Sequence, residues 1–124
     1  MLADPSNGNS VTQSLSSAVH TEGEAVTLSC TYDTTLTNYW LSWYRQRLDR
    51  PPEYILGKRT GGSEDKADFA KNRFSGELQI SNKFTSLTVT GLELTDSAVY
   101  YCALSDTVMI NSLSTVQKLP LDHR

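Results

Sequence analysis

The chain has 124 residues and a formal net charge of −3 at pH 7, with its 11 Lys and Arg scattered rather than gathered into a stripe. That length suits one domain with a real core, and the absence of a basic face argues against nucleic acid as a partner. No run approaches the roughly 18 apolar residues of a spanning helix, so no membrane contact by this domain is expected. Met1 to Ser10 is polar and lacks a hydrophobic centre, so residues 1–10 are expected to be a leader remnant or cloning segment and 11–124 the domain.

Val11-Thr12-Gln13-Ser14 is the first candidate strand, short and at an edge. After a turn at Gly23-Glu24, Ala25 to Thr31 alternates: Val26, Leu28 and Cys30 face one way and Thr27, Ser29 and Thr31 the other. Period two over this length predicts a half-buried antiparallel strand. Tyr32 to Asn38 is polar and Thr-rich, and reads as a connection at one end of a sheet. Leu41 to Gln46 is the next strand; parity puts Leu41 and Trp43 in the core and Trp40, Ser42, Tyr44 and Gln46 on the opposite face. An outward row of Trp, Tyr and Gln suits a partner surface better than bulk water, because aromatic residues are enriched at interface cores.

Leu48 to Pro52 is a turn, since Pro is excluded from central strand positions. Glu53 to Leu56 resumes a strand, and Gly57 to Asp65 is expected to be a loop whose tip carries Lys58 and Arg59. From Arg73 the alternation returns, with Phe74, Leu78 and Ile80 on one parity and Gly76 marking a bend or close approach. Ser81-Asn82-Lys83 makes a hairpin turn, and Leu87 and Val89 carry the inward face of the return strand. Glu93 to Asp96 is a brief helical turn before Ser97-Ala98-Val99-Tyr100-Tyr101-Cys102. There Ala98, Tyr100 and Cys102 face the core, and Tyr101 shares the outer face with Tyr44 and Gln46. Short strands punctuated by turns every eight to twelve residues or so predict an all-β sandwich.

No catalytic constellation appears, and neither an enzyme nor a cofactor is expected. His20 and His123 have no metal-ligand spacing with the cysteines. A Gly-rich phosphate loop, a Gly-x-Ser-x-Gly elbow and an Asn-x-Ser/Thr acceptor are all missing from the sequence. By count alone, two cysteines fit buried thiols as well as a bridge.

The motifs Val11-Thr12-Gln13, Glu24-Ala25-Val26-Thr27-Leu28-Ser29-Cys30-Thr31-Tyr32, Trp43-Tyr44-Arg45-Gln46 and Asp96-Ser97-Ala98-Val99-Tyr100-Tyr101-Cys102-Ala103-Leu104 agree with one another in spacing. Together they resemble an immunoglobulin variable domain, most closely that of a T-cell receptor alpha or delta chain, over Val11 to about Ser105. The resemblance implies an immunoglobulin-like sandwich of nine-strand variable type, two antiparallel sheets joined by a Cys30–Cys102 disulfide with Trp43 packed on it. It also implies a tyrosine corner at Tyr100 and an Arg73–Asp96 bridge closing the bottom of the sandwich. The disulfide in turn implies the secretory pathway or the cell surface, as part of a longer receptor chain.

Such domains bind through three loops at one end. Here these would be Asp33, Thr34, Thr35, Leu36, Thr37 and Asn38, with Tyr39 and Trp40 beside them; Lys58, Arg59 and Thr60, running on to about Glu64; and Ser105, Asp106, Thr107, Val108 and Met109, running on to about Asn111. The face of Tyr44, Gln46, Pro52 and Tyr101 would pair with a beta or gamma chain variable domain, or with a second copy. The ligand implied is a peptide-presenting histocompatibility molecule or a relative of one. One departure stands out: the family's Phe-Gly-x-Gly joining motif is missing, with no Gly after Gly91 and no Phe after Phe84. Thr115 to Leu119 is expected as a last strand without the glycine bulge. This favours, as an alternative, a variable-type innate receptor or surrogate chain acting alone; a structural adhesion module, binding through a sheet face, is the other alternative.

Overall fold

The computed structural model describes residues 10–13, 20–106, 110–119 and 121–122; residues 12 and 13 and those from 110 onward are described by backbone alone. The described residues form eleven strands: β1 Ser10–Gln13, β2 His20–Thr21, β3 Val26–Asp33, β4 Tyr39–Gln46, β5 Glu53–Arg59, β6 Glu64–Lys66, β7 Phe74–Gln79, β8 Phe84–Val89, β9 Ala98–Asp106, β10 Ile110–Leu119 and β11 Leu121–Asp122. They make a four-stranded sheet in the order β1-β3-β8-β7 and a five-stranded sheet in the order β10-β9-β4-β5-β6. A small parallel pair, β11 with β2, accompanies them.

The core lies between the two larger sheets. Leu28 and Cys30 of β3 and Leu87 and Val89 of β8 meet Leu41 and Trp43 of β4 and Tyr100, Cys102 and Leu104 of β9. A disulfide joins Cys30 to Cys102, 72 residues apart in the chain. Trp43 sits opposite Cys102 on the neighbouring strand, and neither has any exposed surface. The Trp43 indole N–H has no hydrogen-bond partner, so packing alone holds the ring. Gly76 lets β7 approach the other sheet: a Cβ there would lie 2.6 Å from Leu56 Cδ1.

The bottom of the sandwich closes on charge. Asp96 ends a 3-10 turn, Leu94–Asp96, and is fully buried. Arg73 grips it in a planar fork, Nη1 to Oδ2 at 2.8 Å and Nη2 to Oδ1 at 3.1 Å. The Glu93 backbone N–H donates to Asp96 Oδ2 at 2.9 Å. Arg45 donates from Nη1 to Asp96 Oδ1 at 3.0 Å and from Nε to Glu53 at 3.0 Å. The Tyr100 hydroxyl donates to the Asp96 carbonyl at 2.7 Å, and burial pushes that phenol up to about 12. Burial alone would raise the Asp96 carboxyl too, but Arg73, the Glu93 N–H and Arg45 outweigh it and hold the group below its ordinary value.

Several boundaries differ from the sequence expectation. Ser10 pairs with Asp33, so the polar leading segment gives its last described residue to β1; Ser14 lies outside the described residues. β3 starts at Val26 rather than Ala25 and continues past Thr31 to Asp33, because Tyr32 is buried in the core and its N–H is taken by the Lys83 carbonyl at 3.0 Å. β4 begins two residues early, at Tyr39. Ile80 does not follow Phe74 and Leu78 inward; β7 ends at Gln79, and Ile80 starts the turn with 49% of its surface exposed. β10 runs from Ile110, well ahead of Thr115, and a bulge does form: its register against β9 shifts between Thr115 and Gln117, at Val116, without a glycine. On the open side, Lys66 of β6 donates from Nζ to the Phe74 carbonyl of β7 at 2.6 Å, lacing the last strands of the two sheets together.

Candidate recognition loops and pairing face

The upper end is built from the connections after β3 and β5 and the last residues of β9. Loop 1 is what remains between β3 and β4. Asp33, Thr35, Thr37 and Asn38 are exposed, Leu36 packs part-buried on the core, and Thr34 is buried. The loop folds on itself: Leu36 N–H donates to Thr34 Oγ1 at 3.0 Å, and Thr34 N–H to Asp33 Oδ1 at 3.1 Å. Asp33 also takes Lys83 Nζ at 2.8 Å, and that hydrogen bond, with the charge behind it, holds its carboxyl low.

Tyr39 corrects the expectation that it lines the ligand site. It is the first residue of β4, only 3% exposed, and its hydroxyl faces that of Tyr32 inside the sandwich. Trp40 follows on the outer face, half-buried.

Loop 2 is shorter than expected. Lys58 and Arg59 belong to β5, and Glu64 and Asp65 to β6, because the two strands pair as a hairpin with Lys58 opposite Glu64. The charged tip is therefore a correction: the connecting residues are Thr60, Gly61, Gly62 and Ser63, and Lys58 Nζ lies 3.8 Å from Glu64 Oε2. Gly62 takes a φ of +101°, a left-handed turn that glycine makes without strain. Of loop 3, Ser105 is buried in β9 and Asp106 ends that strand half-buried. Thr107, Val108 and Met109 lie outside the described residues.

The outer face of the five-stranded sheet brings Tyr44 and Tyr101 directly opposite each other on β4 and β9, both half-buried. Gln46 turns its amide to the Arg50 carbonyl at 3.0 Å, and Pro52 is exposed at the base. A residue the sequence reading left unassigned completes the row. Tyr54 packs edge-to-face on Tyr44, ring centroids 5.5 Å apart. It reaches this face because β5 bulges at Ile55: Trp43 pairs with Leu56 and Tyr44 with Tyr54, so Ile55 and Leu56 both point inward. The Tyr54 hydroxyl lies over Gly57, where a Cβ would sit 2.7 Å away. Burial first, then Asp65, push that phenol well above its ordinary range.

Among the described residues no cluster of His, Cys, Asp and Glu could hold a metal, and no helix is long and apolar enough to cross a membrane. The arrangement offers polar loop tips at one end and a row of aromatic side chains on one sheet face.

Comparison with known proteins agrees with the fold. Human T cell receptor alpha variable 38-1 is 39% identical over 93 residues, covering 75% of this chain and 78% of that protein. The human T cell receptor alpha chain MC.7.G5 is 36% identical over 103 residues, 83% of this chain but only 36% of that longer protein. Human T cell receptor beta variable 5-4 is 39% identical over 95 residues, 77% of this chain and 80% of that one. The profile of the immunoglobulin V-set domain matches residues 13–119. With its two sheets, inter-sheet disulfide and this match over most of its length, the chain belongs to the immunoglobulin V-set family.

Proposed function

We propose that this domain is an antigen-recognition variable domain of a T-cell receptor chain, alpha or delta in type, whose mechanism is binding. The observation that carries the reading is the division of surfaces: the connections after β3 and β5 at one end, and a separate outer face with Tyr44, Tyr54 and Tyr101 side by side. The end would meet a protein ligand such as a peptide-presenting histocompatibility molecule. The face would meet a beta or gamma chain variable domain, with rigid aromatic rings supplying contact area at low entropy cost. Likeness to receptor alpha and beta variable regions alike supports the class more than the chain type. The domain would then stand outside the cell as part of a longer surface receptor.

Sedimentation velocity across a concentration series, alone and mixed with a beta-chain variable domain, tests this. A one-to-one complex that Tyr44→Ala or Tyr101→Ala abolishes, with both variants folded by circular dichroism, is the expected result. A monomer indifferent to that partner sinks the pairing. One observation favours a second reading, a variable-type receptor acting alone: β10 makes its bulge at Val116 rather than at a joining-segment glycine.

A further inference from the structure

The loop end holds a polar pair that no ligand contact requires. Tyr32 is next to last in β3 and Tyr39 first in β4, so they come from different sheets, and their hydroxyls lie 2.6 Å apart. Both residues are buried, 5% and 3% exposed, with ring centroids 5.4 Å apart in an edge-to-face arrangement. One hydroxyl donates and the other accepts; without its partner, each would be a buried polar group with its hydrogen bond unmade. Burial, and then the bond to Tyr39, push the Tyr32 phenol far above its ordinary value.

Each tyrosine carries an outward segment on its backbone. The Tyr32 N–H donates to the Lys83 carbonyl at 3.0 Å, and Lys83 Nζ returns to Asp33 at 2.8 Å, which ties the turn at 80–83 to the start of loop 1. The Tyr39 carbonyl accepts the Thr60 N–H at 3.1 Å, and the Tyr39 N–H donates to Thr60 Oγ1 at 3.4 Å, which ties the end of loop 1 to loop 2. The hydroxyl bridge is the cross-link between these two halves. A loop held in its bound shape loses less entropy on binding.

We propose that Tyr32 and Tyr39 are positioning residues whose hydroxyl bridge sets loop 1, loop 2 and the 80–83 turn as one preorganised unit. Specificity is then carried in part by two side chains that never touch the ligand. The inference takes its functional meaning from the recognition reading above, but the coupling is a property of the free domain and is measured there.

The test is amide hydrogen exchange by NMR on the free domain, in Tyr32→Phe, Tyr39→Phe and the double variant. Each single change should speed exchange at Leu36 and Thr60 roughly five- to tenfold, the scale of one hydrogen bond lost from a local opening. The Thr90 and Leu92 amides, bonded to the Arg73 and Glu24 carbonyls at the opposite end, should keep their rates. The double variant should be no faster than either single change, because both remove the same bond and the double leaves no hydroxyl unpaired. The proposal falls if both ends accelerate together, if Leu36 and Thr60 are unmoved, or if the two single effects multiply. Loosened loops in a domain that pairs with no beta chain would sink the paired-receptor reading and leave the positioning role standing.

Discussion

The two ends of this sandwich solve the same problem with opposite chemistry. Each must tie one sheet to the other where the backbone turns away. The lower end uses full charges: Arg73, arriving just before β7, clamps Asp96, which Arg45 of β4 also holds. The upper end uses two neutral hydroxyls, Tyr32 and Tyr39. A buried ion network costs much desolvation and tolerates no missing member, whereas a neutral hydroxyl pair costs less to bury and can be replaced whole by apolar groups at little loss. The stiff, demanding chemistry thus sits away from the variable loops, and the forgiving chemistry sits beneath them.

The sharpest way to break this contrast is at Asp96. Asp96→Ala leaves two guanidinium groups facing a void and should destabilise the domain by about 3–5 kcal/mol in chemical denaturation. A loss below about 1 kcal/mol would mean that the lower network is no keystone. The same group fixes the acid behaviour. Its carboxyl is depressed in the folded state, so its contribution is fully present above the unfolded value near ~3.9 and is lost as pH falls through the lower folded value. Denaturation midpoints followed from pH 6 downward should therefore fall in the wild type, and fall less in Asp96→Asn.

Between the ends, Gly76→Ala should cost about 1–3 kcal/mol, as the new methyl displaces Leu56 from a packed position. Thermal melts would show it, and an unchanged melting temperature would mean that Leu56 swings aside freely. At the upper end, the double change Tyr32→Phe with Tyr39→Phe should cost at most about 1 kcal/mol and leave the acid profile untouched. The smallest effect is expected at Asp33→Asn. It removes an exposed pair with Lys83 and should leave the melting temperature unchanged within error, while shifting amide signals in loop 1.

What the sequence made legible follows from period two. Leu28 and Cys30, Leu41 and Trp43, and Tyr100 and Cys102 each alternate with residues of the other face, and in a sheet buried on one side that pattern fixes orientation. The pattern fails wherever the period breaks. The bulge at Ile55 reverses parity for the rest of β5, so the outward aim of Tyr54 could not be counted from its neighbours. Lys58, Arg59, Glu64 and Asp65 look like loop because they are charged, yet charge is what a solvent-facing edge hairpin carries. Tyr39 looked like a loop aromatic because its partner, Tyr32, stands on the other sheet and no local pattern links them. Arg45 has core parity and a charge, a contradiction resolved only by Glu53, Asp96 and Tyr100 arriving from elsewhere in the chain.

The Lys66 ammonium resting on the Phe74 carbonyl has a colloidal consequence. β6 and β7 are the outermost strands on the same side of their sheets, and an unpaired ladder there would let molecules stack strand to strand into fibres. A cation seated on one of those carbonyls occupies an acceptor that an incoming strand would need and places like charges opposite each other in any such stack. A domain held at high local concentration gains by this: neighbouring copies meet with an acceptor on this edge already occupied.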